Sequence, residues 1–577
     1  MALDVVSRDL YSISMKHFKK LLSIPVILAV LLPFLLIAPN IGLDFTERMP
    51  LAANVANILL PLSVYAFIFS LWKRVGIMTL LMIPMMCFAG FQIVLLYLYG
   101  GSIIGVDMFL NVATTNATEV GELLGNLLNA IGLILILYLP VLILAVISIC
   151  RKQYLSHEFI KKYRRVSCIA LVISILITAG CCIGVKGYSI TTHLFPANIF
   201  KNLGLAFERV DRLEKYKEVS RDYKYNAISQ RPDSVAEVYV MVVGETSRGD
   251  NWQLGGYDRD TNPRLSQTDG VVYFPLALTQ SNTTHKSVPM IISDLDATSF
   301  DDIDSHKSII TAFKEAGYHT YFLSNQRRNR SYTEFFSNEA DSVYYLPDHE
   351  DGLTFDHELV EIMKPIVNDT VYKKKFIILH TYGSHFNYRD RYPDGFSHFT
   401  PDDVPDANLA NRDKLINAFD NSIRYIDNYL SEAIGVLDSL DCPSSLIYAA
   451  DHGEDIFDDS RHRFLHASPI PTSYQLHVPL LVWISGELAD LMPDAVNSLK
   501  NNSATTVSST LSMFHTISTL AGLKMPSLDE NLSLTSPHLT PYSFKYVSDR
   551  NECLELEDLN LPEIDKKRLS KFNFYQQ

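Results

Sequence analysis

The chain has 577 residues, 47% of them hydrophobic and 20% charged, with a formal net charge of −14. This length exceeds one ordinary domain, and the absence of a basic stripe or arginine-rich tract excludes nucleic acid as a partner. Seven cysteines without a CxxC pair exclude a zinc knuckle or a disulfide framework.

The first third of the chain holds nearly all the long apolar runs. Five stretches are long enough, at about 18–25 residues, to cross a hydrocarbon layer as helices: Leu21 to Ala38, Leu51 to Trp72, Val75 to Tyr99, Leu124 to Cys150 and Val166 to Val185. Pro33, Pro61, Pro84 and Pro140 interrupt four of them, which membrane helices tolerate when neighbours supply the lost hydrogen bonds. The first stretch lacks a small-residue cleavage site and four more follow, so it is an anchor and not a signal peptide. Lys16, Lys19 and Lys20 precede the first span, Lys73 and Arg74 separate spans two and three, and Arg151, Lys152, Lys161, Lys162, Arg164 and Arg165 fill the loop before span five. The alternate loops carry only Arg48. This asymmetry puts the amino terminus in the cytoplasm and everything after about residue 186 outside. In the outward loop between spans three and four, Asn111, Thr115 and Glu119 recur at four-residue intervals, which places them on one face of a helix.

Residues 1–185 thus read as a transmembrane domain and 186–235 as a polar linker along the membrane surface. Residues 236–577 read as a globular α/β domain with a mostly parallel sheet between helices. Its strand-like runs include Val238–Val243, Val271–Leu276, Thr320–Leu323, Phe376–Leu379, Leu446–Ala449 and Val478–Ile484. In such sheets ligands bind at the carboxyl ends of strands, and three runs end in chemistry. Val243 leads into Gly244-Glu245-Thr246, Leu379 into His380-Thr381-Tyr382-Gly383-Ser384-His385, and Ala449 into Ala450-Asp451-His452-Gly453-Glu454. Carboxylates and imidazole at neighbouring strand ends suit a divalent metal such as zinc. Ser281-Asn282-Thr283-Thr284-His285-Lys286-Ser287-Val288-Pro289 opens a helix. A hydroxyl there is ordinarily a cap. Bound to a dication, it is also a nucleophile that loses its proton readily.

With these segments the chain resembles the phosphoethanolamine transferases that modify lipid A and related envelope glycans, a group that includes the transferable colistin-resistance enzymes. Val243-Gly244-Glu245-Thr246-Ser247-Arg248 with Gly256-Tyr257-Asp258-Arg259-Asp260-Thr261-Asn262-Pro263 is similar to that family's first signature. Thr284 stands three residues before Ser287-Val288-Pro289 and 39 positions after Glu245, as the family nucleophile does. Asn417-Ala418-Phe419-Asp420-Asn421 and Asp451-His452-Gly453-Glu454 match two more signatures. The resemblance implies a five-helix membrane anchor carrying a catalytic domain of the alkaline phosphatase and sulfatase superfamily on the periplasmic side of a Gram-negative inner membrane. It implies Glu245, Thr284, Asp451 and His452 as ligands of a catalytic zinc, with His385 and His466 contacting the phosphoryl group or a second metal. It implies phosphatidylethanolamine as donor, lipid A or a related glycolipid as acceptor, and a phosphothreonine intermediate on Thr284. Asn111, Thr115 and Glu119 match positions that help to hold the donor lipid. Asn325 and one of Arg327, Arg328 and Arg330, with Arg330 first, stand where relatives carry a phosphate-binding lysine. A monomer is expected. Where relatives have cysteines flanking the nucleophile segment, this chain has Gln280 and Met290. Two alternatives share parts of this layout: a phosphoglycerol transferase of the teichoic-acid or glucan type, and a non-catalytic membrane sensor. A sulfatase would need a Cys-x-Pro-x-Arg or Ser-x-Pro-x-Arg segment, and the sequence has neither.

Overall fold

The protein is described from a computed structural model, which covers residues 23–46, 49–99, 104–114, 128–185, 188–350, 352–404, 406–559 and 561–572. The chain divides into two compact units, one of residues Met1–Gly105 with Leu127–Gly204, the other of Val106–Asn126 with Leu205–Gln577.

The first unit is helical. Four described helices are long and apolar enough to cross a membrane: Ile24–Leu43, Leu51–Ser70, Ala130–Cys150 and His157–Gly184. A fifth span results if Val75–Leu81 and Ile83–Leu96, bent by 51° at their junction, count as one. Phe34, Leu135, Ile136, Ile173 and Leu176 point outward and are exposed, as a hydrocarbon environment permits and water does not. Between the helices the contacts are small and polar. Ser63 and Ser174 share a hydrogen bond of 2.8 Å, and Asn57 Oδ1 accepts from the Tyr188 hydroxyl at 2.7 Å. Interhelical hydrogen bonds of this kind hold membrane helices where the solvent is as apolar as leucine.

The second unit is built on a seven-stranded sheet. In chain order its strands are β1 (Glu237–Gly244), β2 (Val271–Tyr273), β3 (His319–Ser324), β4 (Ser342–Tyr345), β5 (Lys374–His380), β6 (Ser444–Ala450) and β7 (Leu480–Ile484). In space they run β2-β7-β6-β1-β5-β3-β4. β6, β1, β5, β3 and β4 form a parallel block, and β7 lies antiparallel to both β6 and β2, so the sheet is mixed. The expectation of a mostly parallel sheet therefore holds for the block that carries the strand-end motifs and fails at one edge.

Every residue of β1 is buried, which is why it reads as a continuous Val-rich run instead of an alternating one. On one face, Tyr239, Met241, Phe376 and Ile447 pack with Phe313, Phe514 and Ile517 into a single apolar core. The amphipathic helices His357–Asn368 and Arg412–Asp438 pack on each other, and the latter also lies along β6. With β1 between β5 and β6, the three strands that end in polar motifs lie side by side.

Within this core the helix Ser509–Leu520 carries a buried histidine, His515, whose Nδ1 accepts the Asp529 N–H at 3.2 Å. Burial pushes its pKa down to about 4. The folded imidazole is neutral while an unfolded one titrates near 6.5, so its contribution is present above about pH 6.5 and lost as pH falls toward 4. Between about pH 7 and pH 5 the full chain should lose about 1–2 kcal/mol through this residue. His515→Asn should show a correspondingly smaller drop in thermal midpoint over that interval, and an equal drop in both proteins would refute the assignment.

Candidate metal centre

Two adjacent parallel strands deliver the first ligands. Gly244 at the end of β1 is in register with Ala450 at the end of β6, so the next residues, Glu245 and Asp451, emerge side by side. His452 follows Asp451 directly. All three are buried, at 2%, 0% and 0% exposure, and one ligand atom from each lies within 4.8 Å of the other two.

The backbone around these side chains is held tightly. Asp451 Oδ1 accepts N–H bonds from Thr246 at 3.0 Å and His452 at 2.7 Å. Thr246, a β-branched residue, sits at φ +54°, a conformation that costs about 1–3 kcal/mol and clusters at functional sites. Its hydroxyl donates to Glu245 Oε1 at 2.7 Å. His452 Nδ1 lies 3.0 Å from the Gly453 carbonyl, to which only a protonated nitrogen can donate. That bond leaves Nε2 with its lone pair, 3.3 Å from Asp451 Oδ2 and 3.6 Å from Glu245 Oε1.

Thr284 reaches this group from elsewhere in the chain. It is the first residue of the helix Thr284–Ile291, while the cap position is Thr283, whose side chain makes no capping bond. The Thr284 hydroxyl lies 3.3 and 3.4 Å from the two Glu245 oxygens and 3.2 Å from His452 Nε2. The position is therefore not spent on capping. Buried side-chain bonds fix the segment before it: Asn282 Nδ2 donates to Gln475 Oε1 at 2.6 Å, and the Tyr546 hydroxyl donates to Asn282 Oδ1 at 2.7 Å. Gln280 accepts from Thr510 through its side chain and from Val547 through its carbonyl, and Met290 is fully buried. Hydrogen bonding and apolar packing thus hold these two positions, and the described cysteines are all free.

The chemistry of the donor set fits a divalent cation. Asp451 Oδ2 is sealed from solvent and accepts no well-formed hydrogen bond among the described residues. Burial first, and then the Glu245 charge, pushes the Asp451 carboxyl well above its usual range. Burial, then the neighbouring His466, holds His452 well below the ordinary imidazole value and so neutral. Carboxylate, carboxylate, neutral imidazole and a hydroxyl form a hard-to-borderline donor set of the kind zinc takes.

The remaining predicted residues are distributed unevenly. The His466 ring lies 4.1 Å from that of His452, and its Nδ1 is 3.2 Å from Glu454 Oε2. Burial and His385 hold His466 down to about 4. The His385 ring is 6.2 Å from that of His466, and its Nδ1 contacts the Phe386 carbonyl at 2.6 Å. Asn325 is turned away: its amide donates to Asp356 Oδ1 at 2.8 Å. The next residue, Gln326, points in, with Nε2 donating to Glu245 Oε2 at 3.1 Å and to the Thr381 carbonyl at 2.8 Å. From sequence Gln326 has no assigned role, and only the fold brings it to Glu245. Arg327 and Arg330 are exposed, and Arg328 pairs with Asp348 and Glu334. Asn111 lies in the helix Val106–Thr114, while Thr115 and Glu119 lie outside the described residues.

Residues 237–523 match the family described as Sulfatase, so that stretch is similar to the domains of that family. Phosphoethanolamine transferase EptA of Salmonella typhimurium is 32% identical over 294 residues, covering 49% of this chain and 53% of its own length. Kdo(2)-lipid A phosphoethanolamine 7''-transferase of Escherichia coli is 30% identical over 311 residues, covering 52% and 54%. The chain thus spans about half the length of the curated relatives it matches. Among solved structures, the integral membrane protein lipooligosaccharide phosphoethanolamine transferase A of Neisseria meningitidis superposes with a TM-score of 0.69 at 22% identity. It covers 90% of this chain and 97% of its own, and so shares the fold of sulfatase-family domain and apolar helices together.

Gly383 follows β5 at φ +54°, and a Cβ there would stand 2.4 Å from the Glu245 carbonyl oxygen. Gly383→Ala must therefore displace either the Glu245 backbone or the turn at Gly383 that packs on it. Titration of the full chain with zinc should show affinity lowered about 10–100-fold, the range seen when a ligand's support is lost. An unchanged zinc affinity would show that the centre does not depend on this close approach.

Proposed function

We propose that the chain transfers phosphoethanolamine from phosphatidylethanolamine to lipid A or a related envelope glycolipid, through a covalent intermediate on Thr284. The observation that carries this reading is the Thr284 hydroxyl lying within 3.2–3.4 Å of His452 and Glu245 instead of capping its helix. Glu245, Thr284, Asp451 and His452 are the residues that would hold one zinc, with His385 and His466 near enough to serve the phosphoryl group or a second ion. When bound, zinc supplies Lewis-acid charge that offsets developing negative charge on phosphoryl oxygens and makes a bound hydroxyl easier to deprotonate.

The side chains then divide the work. Thr284 Oγ1 forms a bond to the phosphorus of the donor as the bond from phosphorus to diacylglycerol breaks, and the departing oxygen takes a proton. Amide groups at the start of the Thr284–Ile291 helix favour the phosphoryl oxygens. An oxygen of the acceptor then attacks the same phosphorus from the opposite side. Thr284 leaves and regains its proton. His466 and His385 stand beside this position and can carry the proton to or from the leaving oxygens. Gln326, bonded to Glu245, steadies that carboxylate against rotation.

The apolar helices and the lipid nature of both substrates support an inner-membrane location. In this reading the five spans occupy residues 1–185 with the amino terminus cytoplasmic, a linker covers 186–235, and residues 236–577 work in the periplasm as a monomer. The names of the curated relatives, one of which acts on Kdo(2)-lipid A, support donor group and acceptor class.

Thr284→Ala should lower transfer by on the order of 10³-fold or more while leaving the thermal midpoint near wild type. Mass spectrometry of envelope lipids and glycans from cells carrying each version reads the outcome. Persisting phosphoethanolamine would refute the nucleophile, and phosphoglycerol as the added group would favour the glycerol-transferring alternative.

A further inference from the structure

Two residues beyond Thr284, the same helix carries a lysine that the proposed mechanism does not use. Lys286 is 3% exposed, and its Nζ donates to Asp107 Oδ2 and to the Ser548 carbonyl, both at 2.6 Å. Asp107, also 3% exposed, is the second residue of the helix Val106–Thr114. Its other oxygen accepts from Arg209 Nη1 at 2.8 Å, and Arg209 Nη2 donates to the Asp549 carbonyl at 2.8 Å. The Asp549 carboxylate closes the ring by accepting the first two backbone N–H groups of the helix, from Val106 at 2.7 Å and Asp107 at 2.9 Å.

All of these residues belong to one compact unit, although Asp107 and Lys286 are 179 positions apart in sequence. Buried Asp107 and Lys286 and half-buried Arg209 and Asp549 therefore meet where the Val106–Thr114 helix, the Tyr546–Leu554 hairpin, the helix that begins with Thr284 and the Ala197–Val219 helix carrying Arg209 come together. A simple apolar contact would hold these elements at lower desolvation cost. Charge pairs fix register and distance, which apolar packing does less well. A cavity opens beside the cluster. Asp107 and Lys286 form part of its wall, with Leu110, His285, Phe300 and Tyr332. Asn111 stands one helical turn beyond Asp107, so the four-residue spacing read in the sequence begins at the tethered residue itself.

We propose that Asp107, gripped by Lys286 and Arg209, is a positioning residue that fixes the wall of the donor-lipid cavity at a set distance from Thr284. The inference rests on the phosphoethanolamine-transfer reading and adds a role for residues outside the metal centre. Asp107 touches neither the reacting atoms nor the metal ligands. It acts by holding the Val106–Thr114 helix against the helix that carries the nucleophile, so that the donor's phosphodiester arrives in line with Thr284 Oγ1.

The test uses the full chain reconstituted in vesicles containing phosphatidylethanolamine, with two readouts. One is release of diacylglycerol from the vesicles. The other is cleavage of bis(p-nitrophenyl) phosphate, a soluble diester that needs only the metal centre and Thr284. Asp107→Asn should lower kcat/KM for the lipid by about 10–100-fold, as a displacement of about an ångström does, while small-ester cleavage changes by less than about three-fold. Where that variant fails to accumulate because Lys286 is left buried without its partner, the double variant Asp107→Asn/Lys286→Met removes both charges and should show the same split. Equal loss on both substrates would make the cluster merely structural and overturn the proposal, as would full lipid activity in either variant. A wild-type chain that cleaves the small ester but releases no diacylglycerol would instead sink the donor assignment, and the positioning role with it.

Discussion

Two carboxylates and an imidazole with ligand atoms within 4.8 Å of one another, all buried, are costly to hold in their charged form. Two like charges at that spacing repel by about 3–4 kcal/mol even at an effective dielectric near 20, and each charge has also lost its water. The protein offsets part of this locally, by aiming the Thr246 and His452 amides at Asp451 and keeping His452 neutral. The balance shows in the raised pKa of Asp451, and a bound divalent cation would relieve it. Much of the surrounding structure follows from that constraint.

Parallel strands are the economical way to meet it. Adjacent strands in register end at the same level, so β1 and β6 present Glu245 and Asp451 together without any long loop having to find its place. The positive φ of Thr246 and the close approach at Gly383 belong to the same arrangement: both occur where backbone turns sharply to keep oxygens pointed inward. Thr284 needs a different device. It sits on a helix start fixed by Asn282, Gln475 and Tyr546, and farther along by Lys286 and Asp107. Thr284 is thus held from two sides, by the sheet through the candidate metal centre and by the charge cluster through its own helix.

The parts of this design that depend on local pattern were legible in the sequence. Short runs of β-branched and aromatic residues that lead into Glu245, His380 and Asp451 mark strand ends carrying polar residues, whereas Thr284 is singled out only through the family resemblance. What depends on direction or rotation was not legible. A run such as Val478–Ile484 carries no information about which way it enters the sheet, and β7 enters antiparallel. Asn325 and Gln326 are neighbours at the end of β3, and a strand turns successive side chains to opposite faces. The sequence could not say which of them faces Glu245, and it is Gln326. Arg330 is singled out through the resemblance, and its exposure in the fold is likewise something the sequence does not state. Pairs far apart in the chain, such as Asp107 with Lys286, leave no periodic trace at all.

The proposed reaction depends above all on Thr284 Oγ1 as the atom that accepts the phosphoryl group. Brief exposure of the full chain to vesicles of phosphatidylethanolamine without glycolipid acceptor, followed by acid quench and peptide mass spectrometry, measures this directly. A phosphoethanolamine adduct on the peptide that contains Thr284, appearing with diacylglycerol and discharged when lipid A is added, is the predicted result. Diacylglycerol release and transfer to lipid A with no adduct on that residue, or with the adduct elsewhere, would contradict it.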